Sequence, residues 1–98
     1  MKDITLKQLQ KSIKKIDTLP IGDSKPEERY FIKLVEEVGE LGECIRKDFR
    51  MKDNSIKGTV EEELYDVLYN VACIANTYDI DLQNSIDLKE ELNANKYH

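Results

Sequence analysis

At 98 residues, with 4 glycines and 2 prolines, the chain has room for one domain and one core, and so few turn-formers favour long helices over many short strands. A net charge of −5 argues against a nucleic-acid polymer as partner, because phosphate contacts need a basic face. No apolar run approaches the ~18 residues that span a membrane, and the opening Met1–Gln8 has no apolar signal core, so the expected location is the cytoplasm.

The first apolar pattern, Ile4, Leu6, Leu9, Ile13 and Ile16, predicts a helix of about 12–14 residues with Asp3 as its cap. A turn-rich link, Thr18-Leu19-Pro20-Ile21-Gly22, follows it. Ser24-Lys25-Pro26-Glu27 combines a capping box with a first-turn proline. The helix it opens carries Phe31, Leu34, Val35, Val38, Leu41, Ile45 and Phe49, and is expected to reach about residue 50. Residues 51–58 read as a loop. Thr59-Val60-Glu61-Glu62 is a second capping box, opening a helix with Val60, Leu64, Val67, Leu68, Val71, Ala75 and Tyr78. Asp79-Ile80-Asp81 is a turn, with Asp81 capping a last helix that bears Leu82, Ile86 and Leu92. Nothing alternates with period two. The expectation is an all-α four-helix bundle in a single domain over residues 1–98. An N-terminal helix and linker fill 1–22, and the remaining helices fill 24–97.

The only histidine is the last residue, His98. That removes His-based zinc sites, Ser-His-Asp triads and the Glu-x-x-His pairs of di-iron bundles. No P-loop, Gly-x-Gly-x-x-Gly or internal repeat is present. Cys44 and Cys73 fall inside helices without a CxxC pairing and read as reduced, buried thiols.

Acids are the unusual feature. Ten of the 20 lie between Glu36 and Asp66, where the only bases are Arg46, Lys47, Arg50, Lys52 and Lys57 in the middle, so two acidic stretches flank a basic one. On a helical wheel Glu37 falls at the edge of its helix's apolar arc, with Glu40 about 60° further out. Glu63 stands at the edge of the next helix's arc, with Asp66 about 60° outside it and Asn70 between them. Both helices thus carry an acid pair at i, i+3 on the same flank. Glu36, Glu43 and Glu62 fall further round, at solvated positions. Charged flanks are ordinary on amphipathic helices, so the geometry alone also fits a plain polar border. Clustering adds a cost: like charges about 5 Å apart repel by roughly 3 kcal/mol per pair at an effective dielectric of ~20. No base on the second acidic helix is placed to relieve it. A hard divalent cation would, and carboxylates without His or paired Cys favour Mg²⁺ or Mn²⁺ over zinc.

Glu36-Glu37-Val38-Gly39-Glu40 resembles the Glu-Glu-x-x-Glu motif of the MazG-like nucleoside triphosphate pyrophosphohydrolases, of the all-α NTP pyrophosphatase superfamily. Glu63-Leu64-Tyr65-Asp66 resembles that family's Glu-x-x-Asp, and Asn93-Ala94-Asn95-Lys96-Tyr97 its Asn-x-x-Lys/Arg-Tyr tail. The resemblance runs from about Arg29 to Tyr97 and implies Mg²⁺-dependent hydrolysis of a (deoxy)nucleoside triphosphate to monophosphate and pyrophosphate. It also implies a homo-oligomer, expected as a tetramer built from two dimers. It places Glu37, Glu40, Glu63 and Asp66 on metal. Glu36 is the first acid of the motif, in an outer position or orienting the attacking water. Asn93 and Lys96 match nucleotide-contacting tail positions. Lys33, one turn before Glu37 on its flank, meets a phosphate or is a surface lysine with a buried stem; Asn70 joins the substrate-binding candidates. The stretch Arg46–Lys57 either screens triphosphate charge or is a solvated turn. Gly39 and Gly42, mid-helix, point to close approach of a neighbouring helix or of substrate. Tyr30, Tyr65 and Tyr69 are core, subunit-contact or base-stacking candidates, and there is no tryptophan to stack on a base. Two other readings stand beside this one: phosphoribosyl-ATP pyrophosphohydrolase of the same superfamily, and a non-catalytic helical interaction protein.

Overall fold

A computed structural model describes residues 3–17 and 25–96. It contains α1 (Leu6–Ile16), α2 (Pro26–Lys47), α3 (Val60–Thr77) and α4 (Leu82–Lys96), with no strand among the described residues, as the helical periodicity predicts. None of these helices is long and apolar enough to cross a membrane.

Helix ends follow local chemistry, not always at the expected residue. α1 starts at Thr5, not Asp3: Thr5 Oγ1 accepts from the Gln8 backbone N–H at 3.1 Å, and Gln8 Oε1 accepts from the Thr5 N–H at 2.7 Å. This is a full capping box with glutamine at its third position. For α2 the cap position is Lys25, without a side-chain bond, and Pro26 opens the first turn; Ser24 lies outside the described residues. α2 stops at Lys47, short of the expected end, because Asp48 turns left-handed (φ 53°). At α3, Thr59 Oγ1 accepts from the Glu62 N–H at 3.2 Å, but the Glu62 carboxylate reaches one residue further back, to the Gly58 N–H at 2.9 Å. Glu62 is therefore half-buried and tethered, not merely solvated. Asp81 caps α4 as expected, accepting from the Gln83 N–H at 2.9 Å.

α2 and α3 form an antiparallel pair: Cys44 meets Gly58 at one end, and Tyr30 packs with Ala72 and Cys73 at the other. α1 lies across α3, burying Leu9 and Ile13 against Ala72 and Cys73. Ala72, a leftover apolar residue in the sequence, is thus wholly buried within the chain. A polar clasp joins α1 to the start of α4. Buried Gln10 donates to Asn76 Oδ1 (3.1 Å) and to the Ile80 carbonyl (2.8 Å), and accepts from the Leu82 N–H (2.8 Å). α4 rests chiefly on α1.

The apolar arcs do not form one sealed core. On α2 the row turned toward α3 is Tyr30, Leu34, Glu37, Leu41 and Cys44, at spacings of three and four. Phe31, Val35, Val38 and Ile45 beside it are 50–59% exposed. On α3 the matching row includes Glu63, Asn70 and Ile74, while Leu64 and Leu68 are open. Because the helices are antiparallel, the two open rows lie on the same side of the pair. Each broad arc therefore has two faces, only one of which is covered among the described residues. Leu19 and Ile21, also unassigned in the sequence, lie outside the described residues; Ile56 and Ile80 are exposed.

Candidate active site

The α2–α3 seam carries acids where a core residue would ordinarily sit. Glu63 is 7% exposed and Glu37 half-buried, so both lie in the line of contact and not at its edge as the wheel suggests. The pairing direction, not the centre of the apolar arc, decides what faces the neighbour. Carboxylate oxygens of Glu37, Glu63 and Asp66 lie within 4.8 Å of one another. As carboxylates, Glu37 and Glu63 each hold a buried Oε2 with no hydrogen-bond partner. Leaving such atoms unmatched is costly in a low-dielectric seam.

The electrostatics record that cost. Hydrogen bonding to the Glu37 carboxylate, together with burial and the charges of Glu37, Glu40 and Asp66, pushes the Glu63 carboxyl up to about 8. Asp66 is raised by burial first, then by Glu62 and Glu40. Glu40 acts on both of these acids but is exposed and outside the tight triad. Asn70 is buried beside them, its Nδ2 donating to the Asp66 carbonyl at 2.9 Å. No ion pair among the described residues involves any of the four acids. A hard divalent cation fits this donor set: it would satisfy the two orphaned oxygens and remove the mutual repulsion.

The other candidates lie further off. Glu36 is exposed and outside the triad, and Lys33 is exposed one turn before Glu37. Asn93 is half-buried on α4, which has no substantial packing on α2 or α3, so it is not brought to the acids within one chain. The Lys96 side chain and Tyr97 lie outside the described residues. Of the basic stretch, Lys47 pairs with Glu43 (2.7 Å) and Arg50 with Glu61 (3.2 Å), both local tethers. Gly39 and Gly42 have nothing within 4 Å of where a Cβ would sit, so no helix of the same chain requires them. Tyr30 is core, and Tyr65 and Tyr69 tilt together with centroids 6.2 Å apart. Cys44 and Cys73 are buried free thiols as expected; burial and the nearby Asp17 carboxylate push Cys73 up to about 12, making it inert. Sequence reasoning passed over Gln10, although a glutamine among Leu6, Leu9 and Ile13 on the apolar side of α1 signals a buried hydrogen-bonding role.

The sequence profile of the MazG nucleotide pyrophosphohydrolase domain matches residues 25–96, the segment holding every acid of the site. Two crystal structures of iMazG from Vibrio DAT 722 superpose on this chain at 45% identity. The C-tagged form has a TM-score of 0.80 and covers 93% of this chain and 99% of its own; the N-tagged form has 0.83, with 97% and 99%. A further C-tagged chain matches at 49% identity and a TM-score of 0.64, covering 70% of this chain and 89% of its own. A search of curated proteins returned no significant match. With the domain profile spanning most of the chain and the whole fold shared with iMazG, the chain belongs to the MazG nucleotide pyrophosphohydrolase family.

Proposed function

We propose that the chain hydrolyses (deoxy)nucleoside triphosphates to the monophosphate and pyrophosphate with Mg²⁺, Mn²⁺ substituting. The observation that carries this is the seam triad Glu37, Glu63 and Asp66, with two buried oxygens that a cation would satisfy. Glu37, Glu63 and Asp66, with Glu40 at the exposed rim, would hold the metal. When bound, such a metal would supply charge neutralisation at phosphate oxygens and a lowered pKa for a water. Glu63 would bind the metal in its ionised form. Glu36, outside the triad, orients the attacking water. Lys33 meets a phosphate, and Asn70 fixes the nucleotide beside Asp66. Water oxygen bonds to phosphorus, the bridging P–O bond between the α- and β-phosphates breaks, and one proton is released. Housecleaning of non-standard or excess nucleotides in the cytoplasm suits this chemistry.

The assembly is a homo-oligomer, a tetramer of two dimers, closing on the open apolar rows of α2 and α3. Gly42 faces that side, and a partner helix close against it accounts for a glycine that its own chain does not require. Because α4 rests on α1 and has no substantial packing on the acid-bearing helices, Asn93 and Lys96 serve the site of a partner copy. A nucleotide panel with Mg²⁺, including phosphoribosyl-ATP, tests the reading. Pyrophosphate release from ordinary (d)NTPs supports it. Orthophosphate instead, turnover of phosphoribosyl-ATP alone, or no metal-dependent turnover overturns it.

A further inference from the structure

Arg29, Lys33, Glu36 and Glu40 occur at i, i+4, i+7 and i+11, so they form one stripe along the carboxylate flank of α2. The stripe is polar in the electrical sense: two cations at its N-terminal end, two acids at its C-terminal end. Arg29, Lys33, Glu36 and Ile32 line a cavity of about 240 Å³. Arg29 is half-buried, and neither it nor Lys33 forms an ion pair among the described residues. Arg29 sits about 12 Å before Glu37 along the helix axis, two turns away. A planar guanidinium and an ammonium one turn apart match a phosphate group that offers several oxygens.

We propose that Arg29, with Lys33, is the binding site for the pyrophosphate half of the substrate. The inference rests on the triphosphate reading above and adds its direction. The scissile bond lies at the acids, where metal sits. Of the two halves that separate there, the pyrophosphate carries more charge than the nucleoside monophosphate, so it is the half that two adjacent cations match better. The β- and γ-phosphates therefore extend along α2 toward Arg29, and the nucleoside lies toward the other end of the acid cluster.

The test is calorimetric binding of inorganic pyrophosphate and of dAMP, each with Mg²⁺, to the wild type and to Arg29→Gln, Arg29→Lys and Lys47→Gln. Arg29→Gln is expected to weaken pyrophosphate binding about tenfold, the loss of one charge-assisted hydrogen bond, and to leave dAMP unchanged. Arg29→Lys recovers part of the loss, and Lys47→Gln changes neither ligand. Circular dichroism checks that each variant is folded; Arg29 is only half-buried and forms no ion pair among the described residues, so all are expected to be. Pyrophosphate binding unaffected by Arg29→Gln overturns the proposal, as does no pyrophosphate binding by wild type, or a loss confined to dAMP. These outcomes are separable from failure of the parent reading. A wild type that releases pyrophosphate from NTPs but binds it without Arg29 refutes only this site. A wild type without turnover, but with Arg29-dependent pyrophosphate binding, refutes only the reaction.

Discussion

A glutamate 7% exposed, with another carboxylate facing it across a helix seam, ionises only at a cost that something else must offset. For Glu63 the proton remains until about pH 8, far above its ordinary 4.5. Its folded-state pKa stands above the unfolded one, so the folded chain holds an extra proton in that window. The corresponding stability is complete below about pH 4.5 and is lost as pH rises through about 8. In EDTA, melting temperature is therefore expected to fall between those limits, and scanning calorimetry reads this directly. Saturating Mg²⁺ binds the ionised pair and should flatten the fall; binding to the folded state alone adds about 2.7 kcal/mol at 100 times the dissociation constant. Glu63→Gln should melt higher than wild type in EDTA at alkaline pH, lose the response to Mg²⁺ and lose turnover. Glu43→Gln, whose carboxylate only pairs with exposed Lys47, should leave turnover unchanged. A metal-free melting temperature that rises toward pH 8 would contradict the raised Glu63 carboxyl.

At the scale of elements, the seam is only as well placed as the helices that make it. Gln10 fastens the end of α3 to the start of α4 through three hydrogen bonds from one buried amide. Gln10→Ala strands the Leu82 N–H and the Ile80 carbonyl and is expected to cost about 1–3 kcal/mol in urea unfolding. Thr59→Ala removes the side-chain acceptor at the head of the helix that bears Glu63 and Asp66, and should cost about 1 kcal/mol. Much of this level was legible in the sequence, because it is local. The 3.6-residue period marked all four helices, and Asp81 and Thr59 announced two starts. The shift from Asp3 to Thr5 came from a glutamine standing where the pattern more often has glutamate. What the wheel could not provide was which side of a broad apolar arc meets α3. Periodicity gives the arc, whereas the pairing of two helices selects a line within it, and here that line runs through Glu37 and Glu63. The acids themselves were readable because their spacing is set along single helices. The reach of Asn93 was not, because it depends on where α4 goes after the turn.

For the whole molecule, the uncovered rows of α2 and α3 are the main physical fact. Phe31, Val35, Val38, Ile45 and Leu64, all at least half exposed among the described residues, form an apolar patch of the kind that marks an interaction surface. Light scattering with size exclusion should give a mass several times 11.4 kDa, and Val38→Asp should shift it toward the single-chain value. A wild-type mass of one chain with full activity would remove the tetramer and the cross-subunit role of Asn93 and Lys96 together. The claim on which everything else depends is that the seam acids hold a divalent metal. Anomalous diffraction from a crystal soaked in Mn²⁺ tests it most directly. The account predicts a peak at coordination distance from Glu37, Glu63 and Asp66, absent in Glu63→Gln. A catalytically active crystal with its manganese bound elsewhere, or with none at the seam, would contradict it.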